Sequence, residues 1–134
     1  MPACILRISG STIKIKRLLR DSSLEPSKVY FRGDPGFPKS RGPVENSGFN
    51  IVLSGSHGGA IEKQAREALS YIRKHKNDLM LIKSMKFKFS VIDFGLYDLA
   101  TEDRPWPSYR LPAAFIEAAG ELGFEITLSF YGAP

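Results

Sequence analysis

From Met85 to Gly95 the chain alternates: Met85, Phe87, Phe89 and Val91 recur at every second position, with Lys86, Lys88 and Ser90 between them. A two-residue period belongs to a pleated strand with one dry and one wet face, and aromatic and β-branched side chains suit that surface. The pattern predicts a strand over 85–95 with those four residues inward. From Val91 onward Ile92 and Phe94 are apolar on the opposite parity, which predicts cover on both faces or a bulge.

The same reading extends along the chain. Residues 3–8 form a short apolar strand closed by Ser9-Gly10, and Ser11 or Thr12 caps a helix over 13–20. In that helix Ile15, Leu18 and Leu19 share one side, while Lys14, Lys16, Arg17 and Arg20 point outward. Residues 28–32 make a second strand. Asp34-Pro35-Gly36-Phe37-Pro38 and Ser40-Arg41-Gly42-Pro43 exclude a helix or a central strand, so 33–48 reads as a long loop. A third strand covers 49–54. Ile61, Ala65, Ala68, Leu69 and Ile72 then form one apolar stripe of a helix over 60–75, with a final apolar turn at 79–82. A second long connection occupies 96–110. Pro112 opens a helix through Leu122, with Gly123 suited to the position just past its end. Residues 124–131 alternate again and read as a last, half-buried strand. The order β-α-β-β-α-β-α-β predicts a single α+β domain, partly ferredoxin-like. Its sheet is mainly antiparallel, of about five strands, with helices on one face.

Composition narrows the setting. A chain of 134 residues with 43% hydrophobic and 25% charged content is the size of one globular domain and is too apolar for a disordered one. The first residues lack a signal-peptide pattern, no run is long enough to cross a bilayer, and the single cysteine, Cys4, has no intrachain partner; a cytoplasmic protein with no membrane contact is expected. The net charge of +5 is unevenly spread. Residues 1–95 hold 17 Lys and Arg against 8 Asp and Glu, whereas 96–134 hold 2 against 6. Such a basic body with an acidic tail can steer an anionic partner to one side, although solubility alone also accounts for the charge.

A run of short motifs carries a family resemblance. They are Leu6-Arg7-Ile8-Ser9-Gly10, Ile15 with Leu18-Leu19, Leu24-Glu25-Pro26-Ser27-Lys28, Arg32-Gly33-Asp34 and Asn50-Ile51-Val52-Leu53, followed by the 87–93 strand and Leu122-Gly123-Phe124-Glu125-Ile126. Together they resemble a bacterial family known as domain of unknown function 4279, over nearly the whole chain. The resemblance implies a small α+β protein, in a family where some members are immunity-like proteins near secreted toxins. It supplies no catalytic residues. Leu111-Pro112 stands where the family opens its last helix with a polar residue and proline, and the proline-rich 33–48 insert departs from the shorter loop of many members.

Candidate chemistry is sparse. Gly55-Ser56-His57-Gly58-Gly59 sits at a strand-to-helix turn where an anion can bind, yet it matches neither the P-loop nor the dinucleotide spacing, and a flexible turn explains it. A hydrolase acting through Ser56 and His57 ranks third among the readings. No metal or cofactor is expected, since His57 and His75 are far apart in sequence and no paired-cysteine motif exists. The carboxylates Glu102-Asp103, Asp93 and Asp98 carry no converging pattern. Of these Asp93 needs partners if it is buried at the end of its strand. Arg73, Lys74, Lys83, Lys86 and Lys88 crowd one basic region, the basis of a nucleic-acid-binding alternative, although Phe87 and Phe89 are expected to face the core rather than stack on bases. The first expectation is a non-enzymatic protein-binding domain, an immunity-like inhibitor of a toxin, that uses its two long loops as one docking patch. Trp106 and Tyr109 serve as anchors, Arg32, Arg41 and Arg110 as rim charges, and Phe37 adds to the patch. A tryptophan folded back as a lid on a satellite core is the competing arrangement for Trp106.

Overall fold

The protein, described by a computed structural model over residues 3–56, 60–97, 100–103 and 105–132, alternates strands and helices. Its elements are β1 (Cys4–Gly10), α1 (Thr12–Asp21), β2 (Lys28–Tyr30), β3 (Ser47–Ser54), α2 (Ile61–Lys74), α3 (Lys76–Met85), β4 (Phe89–Leu96), α4 (Ala113–Glu121) and β5 (Glu125–Phe130). The five strands form one sheet in the order β2-β3-β1-β4-β5. All neighbours are antiparallel except β4 and β5, which run parallel. The first four strands have the split β-α-β arrangement of ferredoxin-like folds, and α4 carries the chain over to add β5 beside β4.

Register decides which side chains are dry. Leu6 of β1 pairs with Ile51 and Ile92, and Ile8 with Phe49, so these residues share the face on which the helices pack. Ile15 and Leu18 of α1, Ala65, Ala68 and Ile72 of α2, Leu79 and Ile82 of α3, and Phe115 and Ala119 of α4 complete one buried cluster. Phe94 meets Phe115 edge-on at 5.3 Å, a geometry that adds about 0.5–1.5 kcal/mol to simple burial. Helices therefore cover one face only. On the other face Lys28, Asn50, Arg7 and Val91 form one row across the strands, and Tyr30, Gly48, Ser9 and Phe89 form the next.

Three sequence expectations around β4 need correction. The strand expected to start at Met85 starts at Phe89, and residues 76–85 extend helix instead of a single apolar turn. Lys86 takes a left-handed conformation (φ 52°) that ends α3, so the alternation from Met85 to Phe89 runs across a helix end. The dry face of β4 is carried by Ile92, Phe94 and Leu96, while Phe89, expected inside, is exposed on the opposite face. Elsewhere the expected features hold within a residue or two. The Ser11 hydroxyl caps α1 by accepting from the Lys14 N–H, and Gly123 follows α4 at φ 73°.

The long loop expected over 33–48 is present as far as Asn46, and its two limbs are paired with each other. Gly33 N–H donates to the Val44 carbonyl (3.0 Å), Val44 N–H to the Asp34 carbonyl (2.9 Å) and Gly36 N–H to the Gly42 carbonyl (3.1 Å), which zips its two limbs together. A single 3₁₀ turn over Lys39–Arg41 closes the tip. At its root the Asp34 carboxylate accepts the Phe31 N–H (2.7 Å), and the Ser47 hydroxyl accepts the Arg32 N–H (3.0 Å) while bonding to Thr12 (2.7 Å). Local pairing satisfies the backbone groups that the prolines and glycines keep out of the main sheet.

Candidate functional site

The expected docking patch is divided by the topology. The 31–46 tongue leaves the edge strand β2 at the end of the sheet where β1 finishes, whereas β4 ends at the opposite end, and beyond it Tyr109 packs toward the other edge, β5. Neighbouring strands lie about 4.8 Å apart and each residue advances about 3.3 Å. The two loops are thus rooted at diagonal corners, each with its own surroundings. Phe37 and Arg41 belong to the tongue with Arg32 at its base, while Trp106, Tyr109 and Arg110 belong to the other corner.

At the second corner Trp106 is 81% exposed, between Pro105 and Pro107. Tyr109 is half-buried, its hydroxyl donating to the Tyr97 carbonyl (2.9 Å) and its ring tilted against Phe130 at 5.8 Å. Arg110 is exposed. Sequence reasoning missed the neighbouring edge of the sheet. Leu128 and Phe130 lie on the helix-side face of β5, paired with Phe94 and Leu96, yet remain 42% and 55% exposed because β5 is the edge strand and, among the described residues, no further strand or helix covers it. Alternation identified them as inward-facing, but edge position, which depends on strand order, decides how much of that face is covered.

At the tongue corner Phe37 is 90% exposed. Below it an open concavity of about 650 Å³ lies between the tongue and the helix-free face, lined by Arg7, Lys28, Tyr30, Asn50, Asp34 and Arg41 among others. Arg7 donates through Nε to Asp93 Oδ2 (3.2 Å), and Asp93 Oδ1 accepts from the Ser129 hydroxyl (2.6 Å). Asp93, flagged by sequence as needing partners if buried, has two of them. The side-chain oxygen of Asn50, a residue 9% exposed, is buried without a hydrogen-bond partner. Nothing in the sequence marks it out, because its environment arises from strands β2 and β1 on either side.

The basic residues of the nucleic-acid alternative are dispersed. Lys86 and Lys88 border a second concavity of about 520 Å³ with Lys14 and Arg32, at the end of the sheet where α1 begins. Arg73 and Lys74 lie instead at the junction of α2 and α3 with His75 and Lys76. Lys83 donates to the Glu121 carbonyl at the end of α4 (2.6 Å), a contact consistent with a cation at a helix C-terminus.

At the turn after β3, His57, Gly58 and Gly59 lie outside the described residues, as does Asp98, so no geometry relates the His57 imidazole to Ser56. The Ser56 hydroxyl donates to Glu67 Oε1, and the Ser54 hydroxyl to Glu67 Oε2 (3.2 Å). The Ser56 hydrogen bond, reinforced by that of Ser54, holds the Glu67 carboxyl below its ordinary range. Gln64 Nε2 donates to the carbonyls of Ser56 (2.9 Å) and Gly95 (3.1 Å), which ties the turn to α2 and β4. Burial pushes the Cys4 thiol up, the Asp93 charge adding to the effect, and so removes it as a nucleophile near neutral pH. Among the described residues no three His, Cys, Asp or Glu side chains are grouped as a metal site would require. No described helix is long and apolar enough to cross a membrane.

Comparison with known proteins adds a family. A family model described as a domain of unknown function, DUF4279, matches residues 2–133. The chain belongs to that family. No curated protein and no solved structure matches it.

Proposed function

We propose that this member of the DUF4279 family is a non-enzymatic protein-binding domain that blocks its partner by steric occlusion, as an immunity protein blocks a toxin. The observation that carries this reading is Trp106, exposed on a proline-flanked segment at the corner where Tyr109 packs on the half-exposed Phe130. Large aromatic side chains dominate interface energetics, and prolines lower the ordering cost on binding. Four of the described carboxylates are engaged in structural roles: Asp93 with Arg7 and Ser129, Glu67 with two serines, Asp34 with the Phe31 N–H, and Asp78 with Ser23.

The partner is best sought among the products of genes adjacent to its own. Each product is purified and titrated against the full chain by calorimetry. A binding partner whose affinity falls by about tenfold or more in Trp106→Ala supports the reading. Binding that is indifferent to Trp106, to Tyr109 and to Phe130 overturns it.

A further inference from the structure

The tongue corner differs from the Trp106 corner in charge and in having an open concavity beneath it. Arg7, Lys28 and Arg41 line the groove under the tongue, with Asp34 and Glu45 as the opposing charges. Glu45 and Asn46 also border the neighbouring concavity, where Lys14, Arg32, Lys86 and Lys88 gather. The two hollows therefore adjoin, and across them the cations far outnumber the carboxylates. One of those carboxylates, Asp34, is held by the Phe31 N–H, and one of the cations, Arg7, is partly engaged by Asp93. On the groove floor Asn50 sits between Lys28 and Arg7 in one row of the sheet, its buried amide oxygen unpartnered. Phe37 and Tyr30 supply apolar surface beside it.

We propose that this groove is the docking site for an acidic segment of a protein partner bound in extended conformation, a proposal that deepens the protein-binding reading and rests on it. The carboxylates of such a segment find Lys28, Arg41 and the adjoining Arg32, beside the unpartnered Asn50 oxygen on the groove floor. Side chains at alternate positions of an extended chain lie on one side roughly 7 Å apart, a spacing that flexible Lys and Arg side chains can span. Apolar residues between the acids meet Phe37 and Tyr30. A nucleic acid fits less well, because it brings a phosphate at every nucleotide past the Asp34 and Glu45 carboxylates, whereas a peptide can place its charges intermittently.

The test uses a fluorescein-labelled peptide of alternating Glu and Val, its Lys-for-Glu counterpart and an oligothymidylate of equal charge, each titrated against the full chain by anisotropy. The acidic peptide is expected to bind, to weaken as salt rises, and to lose about tenfold or more in affinity in the surface variant Lys28→Ala/Arg41→Ala. Asn50→Ala is expected to weaken the same peptide while retaining the wild-type far-UV spectrum. Trp106→Ala is expected to leave peptide binding unchanged. Failure of the peptide to bind, an equal response from the basic peptide, tighter binding of the oligothymidylate, or indifference to Lys28→Ala/Arg41→Ala overturns the inference. If a Trp106-dependent protein partner still binds in that case, only the groove assignment falls; if both fail, the protein-binding reading falls with it.

Discussion

The hydroxyl end of the Tyr30 ring lies over Gly48, its partner on the neighbouring strand, so that a methyl group at position 48 would overlap Cζ and the hydroxyl oxygen. This contact packs the short edge strand β2 against β3 and sets one wall of the groove beneath the tongue. Glycine leaves a gap in a strand, and an aromatic on the adjacent strand fills it. Gly48→Ala is expected to displace Tyr30 and to cost about 1–3 kcal/mol, as overpacking does. A urea midpoint unchanged from wild type would contradict the contact.

Lys86 occupies the left-handed position that turns α3 into β4, a conformation in which a side chain costs roughly 1 kcal/mol and glycine does not. Its carbonyl accepts from Lys14 Nζ (3.0 Å), a bond that survives removal of its own side chain. Lys86→Gly is expected to raise the urea midpoint. A lowered midpoint would show that the Lys86 side chain stabilises the turn by more than the backbone strain it imposes.

Glu67 is expected to make stability sensitive to acid. The hydrogen bond from Ser56, followed by that from Ser54, lowers its folded value below the ordinary 4.5. A carboxylate shifted in this direction contributes stability that is fully present above its unfolded value and lost as pH falls through the folded one. Glu67→Gln is therefore expected to be less stable than wild type at neutral pH, with the difference shrinking below about pH 4.5. Parallel curves across that window would exclude the assignment.

Much of the scaffold is legible in the residues themselves. The Ile15/Leu18 and Ala65/Ala68/Ile72 stripes, the Ser11 cap and Gly123 act locally, and local signals survive into the fold. Met85 and Phe87 show where such reading stops. Period two and a helix end look alike over three residues, and only the left-handed Lys86 tells them apart. The pairing within the tongue is hidden for a related reason, because the bonds from Gly33, Val44 and Gly36 join residues of a breaker-rich segment whose composition marks it as loop. For the surface, the prolines mark the Trp106 segment as loop but leave open whether its indole folds back as a lid or faces outward, as it does. The separation of its corner from the Phe37 tongue, the open edge at Leu128 and Phe130, and the unpartnered Asn50 all depend on strand order, which no single stretch of sequence encodes.

The chain has one tryptophan, so its fluorescence reports the Trp106 corner alone. A docking role requires that indole to be hydrated before a partner arrives and covered afterwards. In the free protein, iodide is expected to quench the emission nearly as well as in urea, with little shift of the maximum on unfolding; saturation with the partner is expected to abolish most of the quenching. A blue-shifted, iodide-resistant indole in the unbound chain, or one equally accessible with and without the partner, would contradict the role given to Trp106.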